Sequence, residues 1–150
     1  MDKLKKCFSL NSVDISDDKL IEIIDKLNEC QNKSYSPYSR FKVASIMLFN
    51  DDTLVGGQNI ENASYPLCMC AERVAIYNAI SQGKNLKQVK AICVACDGEE
   101  MFYPCGACRQ VMVEFLNENC LVVVMKLKKG IVEKVDCALL SDLLPKSFKL

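Results

Sequence analysis

Two nearly continuous apolar segments, residues 89–96 and 121–126, constrain the fold of this chain more than any other feature. A strand that does not alternate polar with apolar residues is typical of a sheet whose two faces are both covered. Residues 105–117, which lie between the two segments, have the pattern of a helix. The order of strand, helix and strand predicts an α/β fold in which helices lie on the faces of a buried sheet.

The rest of the chain adds further elements of both kinds. Ser16 is a predicted N-cap, because two aspartates follow it and apolar residues then recur at helical spacing. The predicted elements, in order, are helix 16–32, strands 41–49 and 53–58, loop 59–69, helix 70–81, strand 89–96, helix 105–117, strands 121–126 and 131–135, and helix 138–144. We therefore expect a sheet of about five strands with helices on its faces, within a single domain that spans residues 1–150.

Composition and charge limit the classes of partner. Hydrophobic residues make up 50% of the chain and charged residues 25%, as in an ordinary globular protein. Lysine plus arginine equals aspartate plus glutamate at 19 each, and no basic block carries interleaved aromatic residues, so we expect no nucleic-acid partner. The apolar runs are far shorter than the roughly 20 residues that span a bilayer, so we expect no membrane partner. Because the N-terminus lacks the apolar core of an export signal, the 10 cysteines are expected to stay reduced in the cytoplasm.

Three cysteines and one glutamate form the candidate site. Cys105 and Cys108 are three residues apart at the start of a predicted helix, which puts their sulfurs on one face. Cys70 precedes Glu72 by two residues, so both side chains face one site only if the helix begins at Cys70 itself. Three thiolates leave the fourth position of a zinc ion open to water, which is typical of a catalytic rather than a structural site. The predicted cofactor is Zn²⁺.

Other cysteines offer alternative ligand sets. Cys93 and Cys96 form a second C-x-x-C pair, which would complete a four-cysteine structural zinc site with Cys105 and Cys108. Residues three apart in a strand face opposite sides and lie roughly 10 Å apart, so we interpret this pair as buried apolar cysteines. Cys68 is a substitute ligand for Cys70, ranked lower because Cys70 is the cysteine that places the neighbouring glutamate.

The absence of histidine narrows the chemistry. The chain contains no histidine, which excludes Cys–His and Ser–His catalysis and every histidine-ligated metal site. Glu72 is therefore the candidate general base beside the metal. Ala71 lies at the same helix start and offers a free backbone N–H to a carbonyl oxygen of the substrate.

These motifs together resemble those of the cytidine deaminases, in particular the small, homotetrameric, three-cysteine type that acts on free nucleosides. The resemblance covers residues 36–148 and is carried by residues 59–65 (NIENASY), 70–73 (CAER) and 104–110 (PCGACRQ). It implies a three-layer α/β/α sandwich with a mixed sheet. It also implies zinc-dependent hydrolytic deamination of cytidine and 2′-deoxycytidine to uridine and 2′-deoxyuridine, with release of ammonia, as a step of pyrimidine salvage.

The resemblance further implies roles for individual residues. Asn59 and Glu61 match residues that hydrogen-bond the ribose hydroxyls, and Phe41 matches an aromatic residue against the pyrimidine. Without the resemblance, Phe41 would be interpreted equally well as a core residue at the start of a strand. The residues that match positions reaching the site of a neighbouring subunit are Ala63, Tyr65 and Phe148.

Two arginines flank the predicted thiolates. Arg73 matches a family arginine that hydrogen-bonds the thiolates and offsets the net negative charge of three thiolates around Zn²⁺. Arg109 is a candidate second contributor. The alternative for either residue is a solvated surface arginine.

Three other functions compete with nucleoside deamination. A related enzyme that acts on blasticidin S shares the metal motifs, although the sugar-binding pair Asn59 and Glu61 favours a nucleoside. A nucleotide deaminase would need cationic groups for the phosphate. A non-catalytic zinc-binding module would need a fourth protein ligand in place of water.

Overall fold

The computed structural model describes residues 1–148. Five strands form one sheet in the order β2-β1-β3-β4-β5. The strands are β1 (Val43–Phe49), β2 (Leu54–Gln58), β3 (Val89–Cys96), β4 (Leu121–Lys128) and β5 (Ile131–Leu139). Strands β3 and β4 are parallel and every other neighbouring pair is antiparallel, so the sheet is mixed, as the resemblance implies.

Helices cover both faces of this sheet. They are α1 (Asp2–Leu10), α2 (Asp17–Asn32), α3 (Ala71–Ser81), α4 (Gly106–Phe115) and α5 (Leu140–Leu143). The first two helices share a buried cluster with one face of the sheet, and the last three share a second cluster with the other face. The predicted five-stranded α/β/α sandwich is therefore confirmed. The prediction of one domain for residues 1–150 stays a prediction, and residues 149 and 150 lie outside the described part.

The two apolar segments have the environment that their composition predicts. Every residue of β3 except Lys90 is buried, and so is every residue of β4 except Lys128. Along β3, Cys93 packs in the cluster with α1 and α2, whereas Ile92 packs in the cluster with α3 and α4. Alternate residues of one strand thus enter opposite cores, which is why no polar alternation is present.

Several predicted boundaries were wrong. The strand predicted at 131–135 continues to Leu139, and the last helix is only Leu140–Leu143 instead of 138–144. The antiparallel ladder explains the difference, because it pairs Leu139 with Leu121 at the far end of β4. Helix α1 was not predicted at all. Its helical spacing is short and its N-cap makes no side-chain hydrogen bond, although its apolar face is buried. By contrast, the Ser16 cap of α2 is confirmed by a 3.2 Å hydrogen bond from Lys19 N to Ser16 Oγ.

Gly57 of β2 lets helix α3 approach the sheet, and its replacement tests this packing. A Cβ at this position would lie 2.4 Å from Ala75 N and 2.9 Å from Ala71 O, which are backbone atoms of α3. We expect Gly57→Ala to destabilise the protein by about 1–3 kcal/mol, because overpacking forces the helix off the sheet. For a domain of this size the melting temperature should fall by roughly 2–4 °C per kcal/mol in a thermal melt followed by circular dichroism.

Gly106→Ala is the matched control for this substitution. Gly106 is the first residue of α4, and a Cβ added there would meet nothing within 4 Å. The added methyl group should therefore leave the melting temperature unchanged or slightly raised, since alanine favours a helix. Equal melting temperatures for the two variants would contradict the close contact of α3 with β2.

Candidate metal centre and active site

Two helices begin side by side with a cysteine at the N-cap. Cys70 caps α3 with φ −72° and ψ 152°, and Cys105 caps α4 with φ −65° and ψ 163°. Both caps have extended backbone, so the regular helix starts one residue later. This is the condition that the spacing of Cys70 and Glu72 requires, and the structure meets it. Both helix N-termini carry a partial positive charge, which favours thiolate over thiol.

The three candidate ligands come together at these helix starts. The Sγ atoms of Cys70, Cys105 and Cys108 all lie within 4.8 Å of one another, and those of Cys105 and Cys108 are 3.6 Å apart. A tetrahedral zinc ion with Zn–S bonds of about 2.3 Å needs sulfurs roughly 3.8 Å apart. The donor set suits zinc, because thiolates are preferred ligands of this metal. Among residues 1–148 no further cysteine and no acidic side chain joins these three as a fourth ligand.

The other cysteines are placed differently. Cys93 and Cys96 are both in β3, and Cys93 is fully buried on the opposite face of the sheet from α3. The interpretation as apolar cysteines therefore fits their positions. Cys68 Sγ accepts a hydrogen bond of 3.2 Å from Asn62 N and contacts Asn62 O at 3.5 Å. Its sulfur holds the loop that precedes α3 and stands outside the three-sulfur group.

Hydrogen bonding favours the thiolate at Cys70. A hydrogen bond from the Cys108 thiol, with a smaller contribution from Arg73, outweighs burial and lowers the pKa of Cys70 to about 5. Arg73 Nη2 lies 3.7 Å from Cys70 Sγ and 3.5 Å from Cys68 O. Arg73 is therefore close enough to Cys70 for the charge-offsetting role that the resemblance implies, and that role stays a prediction.

Arg109 has a different position. Its Nε donates to Pro104 O at 2.7 Å and its Nη1 donates to Leu143 O at 3.0 Å. The guanidinium thus ties the start of α4 to the end of α5. Its described hydrogen bonds go to backbone carbonyls and none goes to a thiol.

Glu72 is a buried carboxyl beside the three sulfurs. Only 5% of its surface is exposed. Burial raises the pKa of Glu72 above its ordinary value, and the neighbouring Cys70 thiolate contributes in the same direction. A carboxyl with a raised pKa is a stronger base in its ionised form than an exposed glutamate, which suits a group that moves protons.

A cavity of about 280 Å³ opens in front of Glu72. This volume is close to the lower end of the range for small-molecule sites, roughly 300 Å³. Six residues proposed from the sequence line it, namely Phe41, Asn59, Glu61, Cys70, Ala71 and Glu72. Ala63, Tyr65 and Phe148 do not line the cavity of their own chain, and all three are exposed.

The Asn59 amide joins three segments at the cavity wall. Its Oδ1 accepts hydrogen bonds from Ser34 Oγ at 2.6 Å and Val43 N at 2.8 Å. Its Nδ2 donates to Phe41 O at 2.8 Å. One amide hydrogen is left without a partner among residues 1–148, so the side chain is held in place with a donor to spare.

Glu61 is held by the loop before β1. Its Oε2 accepts from Tyr38 N at 2.9 Å and Ser39 N at 3.2 Å, and its Oε1 accepts from the Ser39 hydroxyl. The Ser39 hydroxyl is the largest cause of the lowered pKa of Glu61. The lowered pKa favours the ionised form, and the three hydrogen bonds orient the carboxylate at the cavity wall before any ligand arrives.

Sequence reasoning missed part of the cavity lining. Val94, Cys96 and Phe102 also line it, and so do the nearby Met69 and Tyr103. Cys96 and Phe102 could have been predicted from the sequence, because ligand sites in α/β proteins lie beyond the carboxyl ends of parallel strands. Cys96 is the last residue of β3, and Phe102 is in the loop that follows.

The comparisons with known proteins identify the family. Residues 17–125 match the cytidine and deoxycytidylate deaminase zinc-binding region. The chain belongs to this family of zinc-binding deaminases. The resemblance drawn from the three motifs is thereby confirmed, together with the prediction of zinc as cofactor.

Individual relatives are similar over most of their length. The cytidine deaminase of Sporosarcina psychrophila is 39% identical over 127 residues, which cover 85% of this chain and 89% of the relative. The cytidine deaminase of Halalkalibacterium halodurans is 40% identical over 126 residues, 84% of this chain and 91% of the relative. The crystal structure of cytidine deaminase from Burkholderia pseudomallei superposes with a TM-score of 0.77 at 37% identity, covering 89% of this chain and 100% of that one.

None of the helices in residues 1–148 has the length and apolar character needed to cross a bilayer.

Proposed function

We propose that this protein catalyses the hydrolytic deamination of cytidine and 2′-deoxycytidine to uridine and 2′-deoxyuridine, with release of ammonia. The observation that carries the proposal is the buried Glu72 carboxyl beside three clustered thiols, inside a cavity of about 280 Å³. The relatives named as cytidine deaminases, at about 40% identity over most of the chain, support the same reaction.

The metal would be held by Cys70, Cys105 and Cys108. Bound zinc supplies an activated water, since it lowers the pKa of water from 15.7 to about 7. Arg73, 3.7 Å from Cys70 Sγ, offsets part of the negative charge of the three thiolates. Without this cation, the net negative charge of the three thiolates and the metal would raise the pKa of the water and so disfavour hydroxide.

Glu72 carries the proton transfers in this proposal. Its carboxylate takes a proton from the attacking water and delivers it to ring N3, which makes C4 more electrophilic. It then takes the proton of the hydroxyl group now on C4 and delivers it to the amino group, so that the C4–N bond breaks, ammonia leaves and the C4 carbonyl forms. Burial suits this double role, because the raised pKa of Glu72 brings the carboxyl closer to the pH at which it works.

The remaining cavity residues orient the nucleoside. The Ala71 N–H, at the first position of α3, points out of the helix start and can donate to the pyrimidine O2. Asn59 and Glu61 supply a donor and acceptors for the ribose hydroxyls. Phe41 lines the cavity and provides an aromatic surface for the base.

We propose a cytoplasmic homotetramer in which sites are shared between subunits. Tyr65 and Phe148 are 71% and 66% exposed, so both side chains have surface available to another subunit. Their exposure fits residues that reach a neighbouring subunit, and Ala63 is in the same exposed loop as Tyr65. All 10 cysteines are free, as expected in a reducing compartment.

A substrate panel tests the reaction. Purified zinc-loaded protein is mixed separately with cytidine, 2′-deoxycytidine, cytidine 5′-monophosphate and blasticidin S, and the loss of absorbance is followed. We expect turnover of the two nucleosides and at least about tenfold lower kcat/KM for the monophosphate. The reason is that no lysine or arginine is among the described residues that line the cavity. Turnover of blasticidin S alone, or zinc held by a fourth protein ligand without turnover, contradicts the proposal.

A further inference from the structure

The loop of residues 97–104, which joins β3 to α4, carries Phe102 to the mouth of the cavity. The Phe102 ring contacts the Phe41 ring edge to face, with centroids 6.2 Å apart and planes at 80°. Phe102 is nevertheless 60% exposed. A large apolar side chain that lines a cavity and remains exposed has surface available for a ligand.

Both ends of the 97–104 loop are anchored. At its start, Asp97 Oδ1 accepts a hydrogen bond from Lys42 N at 2.9 Å, and Asp97 N donates to Lys42 O at 3.3 Å. At its end, Pro104 O accepts from Arg109 Nε at 2.7 Å. The first anchor joins the loop to Lys42, the residue that follows Phe41, so it keeps the loop that carries Phe102 close to Phe41.

A single sulfur atom organises the interior of the loop. Cys96 Sγ donates a hydrogen bond to Glu100 O at 3.4 Å. This contact ties the middle of the loop to the end of β3, two residues before Phe102.

Gly98 brings the loop into direct contact with Phe41. A Cβ on Gly98 would lie 2.6 Å from Phe41 Cε2, so a side chain at this position would push the Phe41 ring or the loop out of place. Phe41 thus contacts both the Gly98 backbone and the Phe102 ring of this loop.

The chemistry of cytosine indicates which edge of the base meets this loop. O2, N3 and the amino group at C4 form hydrogen bonds, and N1 carries the sugar, so only the C5–C6 edge is apolar. The polar groups of the cavity, Glu72, Asn59 and Glu61, are matched to the polar edges and the sugar under the proposed function. Among the apolar residues that line the cavity, Val94, Cys96 and Phe102 come from the end of β3 and the loop that follows it, and this side of the cavity is available to the C5–C6 edge.

We propose that Phe102 faces the C5–C6 edge of the pyrimidine and determines which substituents the enzyme accepts at C5. This inference rests on the proposed function and adds a specificity-determining residue to it. A phenyl ring at this place leaves room for hydrogen at C5 and restricts a methyl group.

A size series at position 102 tests the inference. The kcat/KM values for cytidine and 5-methylcytidine are measured for the wild type, Phe102→Ala and Phe102→Trp, and the ratio of 5-methylcytidine to cytidine is compared. We expect Phe102→Ala to raise this ratio about tenfold, since one methyl group in an apolar pocket changes discrimination by about that factor or more. Phe102→Trp should lower the ratio, because the larger ring restricts the same space.

Ile131→Ala is the matched control, because Ile131 is a similarly exposed apolar residue at 67% and lies away from the cavity. Its ratio should equal that of the wild type. A wild type that deaminates cytidine, with a ratio that stays level or moves in one direction across the Ala and Trp variants, contradicts the inference alone. A wild type that turns over no cytidine contradicts the proposed function instead.

Discussion

Glu72→Gln is expected to lower kcat for cytidine by about 10²–10⁴-fold, while the protein keeps one zinc ion per chain and its melting temperature. Glutamine has nearly the same shape as the buried glutamate, but it cannot accept the proton of the attacking water or return it to the ring. The loss should therefore fall on kcat, with KM changed much less. Steady-state kinetics, metal analysis and a thermal melt measure the three quantities.

Glu114→Gln is the matched control for this prediction, since Glu114 is an exposed glutamate of α4 outside the cavity. A surface substitution of this kind should change activity by no more than about twofold. Near-normal turnover by the Glu72 variant would remove the proton-transfer role assigned to that residue. Loss of zinc together with activity would show that Glu72 acts on the metal site instead.

Cys105→Ala and Cys108→Ala are each expected to lose both the zinc ion and the activity. A site with two sulfurs keeps too few strong ligands, and zinc affinity falls further because the remaining positions are filled by water. The melting temperature should fall as well, because metal that binds only the folded chain stabilises it. Metal content after dialysis, measured by mass spectrometry, is the direct readout.

Cys68→Ala separates the two candidate ligand sets. Cys68 is close in sequence to Cys70 but bonds to the backbone of Asn62 and stands outside the three-sulfur group. We expect this variant to retain one zinc ion per chain. Stoichiometric zinc in the Cys105 variant, or loss of zinc in the Cys68 variant, would contradict the assignment of ligands.

Where the chain has a strong repeating pattern, local sequence predicted the structure well. The continuous apolar run of β3 was predicted with the bounds Val89–Cys96 that the structure shows. Helix α2 was predicted from its Ser16 cap and apolar spacing, and the cap makes the expected hydrogen bond. Such patterns show directly which faces of an element are buried, because side-chain direction repeats every 2 residues in a strand and every 3.6 residues in a helix.

The same reasoning failed where distant segments decide the outcome. Strand β5 continues to Leu139 because β4 supplies a ladder partner along its whole length, which overrides the local preference of its last residues. Helix α1 is too short to be stable by itself and depends on the core that buries Leu4 and Phe8. In both cases the contacts that decide the structure come from segments that are distant in the sequence.

By itself, the sequence determined the chemistry of the site. Residue types and spacing predicted three thiolates, one carboxyl and a helix that starts at Cys70, because ligand chemistry and helix geometry act over only a few residues. Only the tertiary structure decided what surrounds that chemistry. It placed the Phe102 ring against Phe41, and it joined the Asn59 amide to Ser34 and Val43. Such contacts link loops that have no periodic pattern, so their geometry exists only after the sheet and its two helical layers have packed.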